Sequence, residues 1–227
     1  MLRAHIALAG CNIVWACDYP FYNLLLGRYI SPMAMITASL IVAALLSWIP
    51  RIWEQREKIE SKDWAIIVVA ALLMGVTRKV MMMFGLSRTS PIDGSIIATM
   101  VPLLVLVVSV IAGVDRLSVR KVLGLLMGMA GAMAVIVTSG SQHHDKSELL
   151  GNVMMICSGV VTALYMVFFK RLVAKYRVTT LLRAIYTISA LVALPFGWHS
   201  ITSEHFSNFD THVWLAALFV LVVPTYL

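Results

Sequence analysis

Two basic residues, Arg78 and Lys79, stand side by side in the apolar stretch LLMGVTRKVMMMFGL at residues 72–86. In such a stretch, neighbouring cations can bind an anion, pair with a carboxylate or snorkel to a membrane surface. A charge near the centre of a membrane helix costs about 2.5–3.5 kcal/mol on the insertion scale, and two uncompensated charges roughly twice that. Each charge therefore needs protein, water or a counter-charge beside it.

Asp18 is the carboxylate best placed to supply that counter-charge. Arg78 lies 14 residues after Trp64, where its apolar run begins, and Asp18 lies 14 residues after Ala4. At 1.5 Å per residue both are about 21 Å deep, on helices that run parallel. We expect Asp18 to pair with Arg78 or Lys79, which leaves the other basic group for a cavity. Snorkelling of both cations to the outer interface is the alternative.

The first apolar run carries a polar stripe. Cys11, Trp15, Asp18 and Tyr22 follow a spacing of four, three and four residues and so share one helix face, with Asn12 beside it. A face that holds an Asp does not point at lipid. It either lines a substrate site or packs on neighbouring helices through polar contacts.

Two further residues are binding candidates. Pro102, inside the run 92–113, removes a backbone hydrogen bond and can kink its helix, and bent helices near the midplane often border substrate sites. The kink can equally serve packing. Arg183 lies about five residues into the run 178–198, where it can bind a solute or snorkel to the cytoplasmic surface.

The sequence lacks the motifs of an enzyme or a metal protein. It contains no HExxH and no nucleophile elbow, and it has no carboxylate pair at a useful spacing. His143, His144 and Asp145 share an outer loop without metal-ligand geometry. We expect no catalytic residue, no cofactor and no metal.

Composition places much of this 227-residue chain in lipid. Hydrophobic residues make up 60% of it and charged residues 13%, with a mean hydropathy of +0.89, whereas a soluble domain carries about 25% charged residues. The net charge of +7 does not gather in one patch, so the partner that it indicates is a lipid bilayer rather than nucleic acid.

Apolar runs predict an all-α integral membrane protein. A helix crosses the hydrocarbon core with about 20 residues, and these runs lack the alternation of barrel strands. An eighth run starts near Val213 and reaches Leu227, short of a full span. The seven full runs are approximately 4–26, 30–50, 64–86, 92–113, 119–138, 149–169 and 178–198.

Basic residues orient the predicted spans. Twelve Lys and Arg residues fall on one side and three on the other, so the positive-inside rule puts the N-terminus in the cytoplasm of a multi-pass protein of the cell (inner) membrane. The three are Arg28, Arg88 and Lys146; the twelve are Arg3, Arg51, Arg56, Lys58, Lys62, Arg116, Arg120, Lys121, Lys170, Arg171, Lys175 and Arg177.

Hydropathy also repeats along the chain. A shift of about 148 residues lays 29–50 over 177–198, and because five helices separate the copies, the second copy enters the membrane from the opposite side. Inverted repeats of this kind are common in secondary transporters. We expect a first repeat at 1–138, an outer connector at 139–149 and an incomplete second repeat at 150–227.

Residues 85–137 resemble the end of an EamA domain of the drug/metabolite transporter superfamily. The mid-helix Pro102, the Leu117-Ser118 element and the glycines of the fifth helix, Gly124, Gly128 and Gly131, fill the family's pattern. The resemblance implies ten helices in two inverted five-helix repeats, with both termini cytoplasmic and a central cavity. The chain departs from the pattern by stopping inside the eighth helix and by having Met35 where the family often has Arg; Arg183 keeps the matching basic residue.

Together these patterns predict a permease that moves a small metabolite, such as an amino acid or organic anion, by alternating access. The alternative is a non-transporting membrane subunit or an inactive fragment of such a carrier. Gly124 and Gly128 form a close-packing motif, used either within one chain or as the seam of a homodimer. The predicted substrate-binding residues are Asp18, Trp15, Arg78, Lys79, Tyr22, Asn12, Pro102 and Arg183.

Overall fold

The computed structural model describes residues 20–22, 24–26, 28–55, 57–138, 149–204 and 209–226. These residues form helices and connecting turns, and no β-strand occurs among them. Most of the predicted first span lies outside the described residues, and so do Asn12, Trp15 and Asp18.

Helix α1 (Pro32–Trp48) begins where the sequence supplies a cap. The Ser31 hydroxyl accepts from the backbone N–H of Ala34 at 3.4 Å, and a proline occupies the first turn, where its missing N–H costs nothing. A 3₁₀ turn, Ile49–Ile52, extends α1.

A continuous helix of 26 residues, Ser61–Leu86, follows. It consists of α2 (Ser61–Ala70), a π-helical segment (Ala71–Thr77) and α3 (Arg78–Leu86). At 1.5 Å per residue it is about 39 Å long, enough to cross a bilayer with some tilt. The π-helical segment ends at the residue before Arg78.

The next helical run is broken in the middle. Helix α4 (Pro91–Thr99) ends at Met100 and α5 (Val101–Ile111) follows directly. Pro102 lies at the start of α5, and because it has no N–H it cannot bond to the carbonyl four residues earlier. The helix is thus interrupted at Met100, two residues before Pro102, and a kink at Pro102 stays a prediction. Helix α6 (Val119–Thr138) comes next.

The second half contains α7 (Leu149–Phe168), the short α8 (Lys170–Lys175), α9 (Val178–Ser203) and α10 (Thr211–Tyr226). Within the described ranges, five helices are long and apolar enough to cross a membrane: Pro32–Ile52, Ser61–Leu86, Asp93–Ile111, Leu149–Phe168 and Val178–Ser203. The described chain is therefore an all-helical fold of membrane-spanning type. The seven full spans and the ten-helix inverted repeat go beyond these findings and stay predictions.

Small residues let α9 approach the first half closely. A β-carbon built at Gly75 would lie 1.8 Å from the Ser189 hydroxyl oxygen, and one built at Gly197 would lie 1.7 Å from the Thr37 hydroxyl oxygen. Helix α9 therefore contacts both α1 and the π-helical segment. One buried cluster joins α1, α3 and α10, and a second joins α2, α8 and α9.

Candidate functional site

Lys79 points into the protein from α3. Its side chain is 7% exposed, and its ammonium donates to the Ser39 hydroxyl of α1 at 2.8 Å. Ser39 is fully buried and donates in turn to the Ile36 carbonyl of its own helix at 2.9 Å. A neutral hydroxyl is therefore among the partners of this buried cation. The bond from Ser39 to the Ile36 carbonyl fixes the direction in which that hydroxyl points.

The Arg78 side chain leaves α3 in a different direction from that of Lys79. Its Nη1 lies 3.8 Å from the Met82 sulfur, a weak acceptor. Its Nε is buried and finds no hydrogen-bond acceptor among the described residues. A buried N–H without an acceptor is costly, so Arg78 is equipped to receive a further acceptor such as a carboxylate oxygen.

The basic pair lies where the two halves of the chain meet. The Arg78 carbonyl accepts from the Ser158 hydroxyl of α7 at 3.3 Å. Lys79 faces α1 of the first half. The neighbouring residues thus contact both sequence halves.

The π-helical segment is held against α9 just before this pair. Ser189 Oγ lies 3.0 Å from the Ala71 carbonyl and 2.7 Å from the Ile185 carbonyl of its own helix. One hydroxyl is therefore shared between two helices, and the absent side chain of Gly75 leaves room for it. Wide turns of this kind occur often at functional sites.

The other sequence-predicted residues have different surroundings. Tyr22 is 3% exposed and belongs to the same buried cluster as Met82 and Met83, one turn beyond Lys79. Pro102 is exposed. Asn12, Trp15 and Asp18 lie outside the described residues, and the pairing of Asp18 with Arg78 or Lys79 stays a prediction.

Arg183 lies apart from Arg78 and Lys79, in a cavity of about 350 Å³ at the start of α9. Its guanidinium carbon is 5.4 Å from the ring centre of Trp48. A second, apolar cavity of about 460 Å³ lies between Phe21 and Phe219. Neither Arg78 nor Lys79 lines either cavity.

A polar cluster that the sequence patterns do not indicate joins the halves at the start of α2. Asp63 accepts from the Lys175 ammonium and from the Tyr176 hydroxyl, both at 2.6 Å. Lys175 also pairs with Glu60 at 2.7 Å, and the Glu60 N–H donates to the Tyr176 hydroxyl at 3.1 Å. We call these four residues, Glu60, Asp63, Lys175 and Tyr176, the inner cluster. The one sign of this cluster in the sequence is that the loop before α2 and the segment between α7 and α9 carry charges that are predicted to face the cytoplasm.

Ion pairing sets the pH range of the inner cluster. The hydrogen bond from Lys175, and then that from Lys62, hold the pKa of Glu60 below its usual value. Bonds to Asp63 and Glu60 raise the pKa of Lys175. The stability that Glu60 contributes to the folded state is present above the unfolded-state pKa of about 4.3. It is lost as pH falls through the lowered pKa of Glu60 in the folded state. The stability that Lys175 contributes is present below its unfolded-state pKa of about 10.4. It is lost as pH rises through the raised pKa of Lys175 in the folded state.

The opposite end of the bundle has its own contact between the halves. The Ser31 N–H, at the start of α1, donates to Glu204 Oε1, just after α9, at 2.8 Å. Thr89, before α4, bonds to Asn152 of α7. Among the described residues, no group of three or more His, Cys, Asp or Glu side chains could hold a metal ion.

Membrane-spanning helices joined in this way, with a basic pair between the halves, define a polytopic membrane protein. The model of the EamA-like transporter family matches residues 2–137. The chain belongs to the EamA-like transporter family, as its sequence resemblance predicted, and the family favours a membrane transporter over an enzyme.

Relatives and a solved structure agree with this assignment. The chain is 23% identical over 199 residues to an "Uncharacterized transporter" of Archaeoglobus fulgidus, covering 86% of this chain and 67% of that protein. It is 23% identical over 235 residues to the "Uncharacterized transporter YetK" of Bacillus subtilis, covering 100% of this chain and 70% of the relative. A chain titled "Crystal structure of protein" superposes with a TM-score of 0.64 at 16% identity, covering 96% of this chain and 78% of that one. At that identity the match supports the fold alone.

Proposed function

We propose that this transporter carries a small organic anion or zwitterion, such as an amino acid, by alternating access, and that Arg78 binds its carboxylate. The observation that carries the proposal is the buried Arg78 Nε, which has no acceptor within the described part of the chain. A guanidinium can hold a carboxylate through two parallel hydrogen bonds. A solute that supplies those oxygens removes the cost of the unsatisfied donor.

The position of Arg78 between the halves supports alternating access. A solute bound there would lie beside α3 and α7, since Ser158 of α7 bonds to the Arg78 carbonyl, and close to α9, which bonds to the π-helical segment that ends at Thr77. Carriers built from repeats bind solutes near the midplane and rock one half against the other. The inner cluster and the Ser31–Glu204 contact join the halves at opposite ends, so one of them must open in each state.

Lys79 has a supporting role in this proposal. Its bond to Ser39 holds α3 against α1, and its positive charge beside Arg78 adds to the attraction for an anion. Asp18, at the same predicted depth, would balance the remaining charge when no solute is bound.

The test is uptake and efflux in vesicles that contain the purified chain, screened over amino acids and small organic anions. Arg78→Gln should raise KM or lower the rate at least about tenfold, the equivalent of one lost charge-assisted hydrogen bond of about 1.5 kcal/mol or more. Arg120→Gln removes the same charge from an exposed position and should transport as the unaltered chain does.

Two outcomes would reject the proposal. If the unaltered chain transports none of these solutes, the reading of a non-transporting subunit or inactive fragment takes its place. If transport is saturable but equal in Arg78→Gln and Arg120→Gln, the solute binds elsewhere. Insertion and folding of each variant are checked by thermal unfolding before transport is compared.

A further inference from the structure

The cavity around Arg183 is unlike the Arg78 region, because it opens at the end of the bundle that the charge bias predicts to be cytoplasmic. Six of its lining residues carry the argument that follows: Trp48, Arg51, Glu57, Trp64, Thr180 and Arg183. They come from the end of α1, the connector after it, the start of α2 and the first turns of α9. Its volume of about 350 Å³ is at the small end of ligand sites.

The cavity has an excess of positive charge. Neither Arg51 nor Arg183 forms an ion pair within the described residues. The one acidic lining residue, Glu57, accepts from the Arg177 N–H at the start of α9 at 3.0 Å. That carboxylate is thus used in capping a helix whose N-terminus favours negative charge, and both guanidinium groups are left available for an anion.

Arg183 is held in position by neutral groups. Its guanidinium lies over the Trp48 ring, and the Trp48 indole N–H donates to the Thr187 hydroxyl at 3.1 Å. An Arg183 nitrogen lies 3.4 Å from the Thr180 hydroxyl. None of these contacts neutralises the positive charge, but together they fix the direction of the guanidinium.

The rim of the cavity is suited to a membrane interface. Trp48 is 50% exposed and Trp64 is 43% exposed, and half-exposed tryptophans of this kind collect at headgroup level. The neighbouring Ile52 and Trp53 are also exposed. An anionic group that reaches the cavity from the bilayer, past these apolar residues, is the headgroup of an amphiphile.

We propose that this cavity binds the phosphate of an anionic phospholipid headgroup between Arg51 and Arg183, with the glycerol backbone against the indoles of Trp48 and Trp64. Basic pockets between membrane helices recognise lipid headgroups in this way. The site would pin the end of α1 to the start of α9. The proposal does not depend on the transported solute, because the residues that it uses are distinct from Arg78 and Lys79.

The test is native mass spectrometry of the purified full chain, titrated with phosphatidylglycerol and, in parallel, with phosphatidylcholine of the same acyl chains. The unaltered chain should retain phosphatidylglycerol preferentially. Arg183→Gln and Arg51→Gln should each weaken that retention at least about tenfold. Arg120→Gln, an equal loss of charge at an exposed position on the same predicted side, should leave it unchanged, and Arg183→Lys should weaken it less than Arg183→Gln does.

Thermal unfolding with the same lipids provides a second measurement. Phosphatidylglycerol should raise the Tm of the unaltered chain and of Arg120→Gln, but not of Arg183→Gln. Equal retention of the two lipids, or equal losses in Arg183→Gln and Arg120→Gln, would overturn the proposal. So would equal protection by soluble glycerol phosphate at the same phosphate concentration, because the site would then serve a free anion.

Discussion

At the scale of single residues, the hydrogen bond between Lys79 and Ser39 is the contact that a substitution tests most directly. Ser39→Ala removes a hydroxyl that accepts from a buried ammonium at 2.8 Å. Loss of an acceptor for a buried charged donor costs about 1–3 kcal/mol or more. We expect the free energy of unfolding in detergent to fall by that amount, measured by reversible denaturant titration.

Ser47→Ala is the matched control for Ser39→Ala. Ser47 lies on the same helix and is also buried, but among the described residues its hydroxyl donates only to the Ala44 carbonyl of that helix, at 2.6 Å. Its loss should change the free energy of unfolding by about 0.5 kcal/mol or less, since helix carbonyls keep their backbone partners. Equal effects of the two substitutions would contradict the importance of the Lys79 bond.

The charges of the site could be predicted from the sequence, but their neutral partners could not. Arg78 and Lys79 are conspicuous because a cation is costly inside an apolar run. Ser39 is one of many small residues in the run 30–50, and nothing in the spacing of that run marks it as the one that faces α3. Helix α4 has a cap of a common type, since the Ser90 hydroxyl accepts from the Asp93 N–H at 3.1 Å and Pro91 begins the helix.

At the scale of helices, the contact between the π-helical segment and α9 depends on Gly75. A β-carbon there would meet the Ser189 hydroxyl oxygen at 1.8 Å and the Ser189 β-carbon at 2.6 Å, both inside van der Waals contact. We expect Gly75→Ala to lower the free energy of unfolding by about 1–3 kcal/mol, as overpacking does. Ser189→Gly in the same chain removes the clashing atoms and should restore part of the loss.

Gly128→Ala, in α6, is the control for Gly75→Ala. No described atom lies within 4 Å of a β-carbon built at Gly128, so alanine should be neutral or stabilise the helix by about 0.5–1 kcal/mol. The homodimer seam proposed for Gly124 and Gly128 stays a prediction. A Gly128→Ala chain that unfolds as readily as Gly75→Ala would show that α6 packs closely on something after all.

Hydropathy predicted where the helices begin and end more closely than it predicted the geometry inside them. The run 149–169 corresponds to Leu149–Phe168, and the run 64–86 to Ser61–Leu86. Helix α9 runs to Ser203, five residues past its predicted end, since the mostly polar residues 199–203 end the apolar run but still form helix. The π-helical segment had no sequence signal, because its residues are those of any apolar helix.

At the scale of the whole molecule, polar contacts join the two sequence halves at both ends of the bundle. Helices α7 and α9 of the second half pack on helices of the first, and the alternating access that we propose would loosen these contacts at one end at a time. The sequence predicted two halves from a shifted hydropathy match. It could not predict which side chains join them, because the members of each pair are far apart along the chain, as Asp63 and Lys175 are at a separation of 112 residues.

The two end contacts should therefore control access to the centre from opposite sides. Lys175→Met removes the bonds to Asp63 and Glu60, and Glu204→Ala removes the acceptor for the Ser31 N–H. A single cysteine at Ser158, which touches the Arg78 carbonyl, reports access when the three native cysteines are replaced by serine. We expect Lys175→Met to raise its labelling by an impermeant maleimide several-fold from the predicted cytoplasmic side, and Glu204→Ala to do so from the other side. Lys121→Met breaks an exposed pair with Asp115 within the first half and should leave the labelling from both sides unchanged. If labelling rises from the same side in both test variants, these contacts do not gate access from opposite sides.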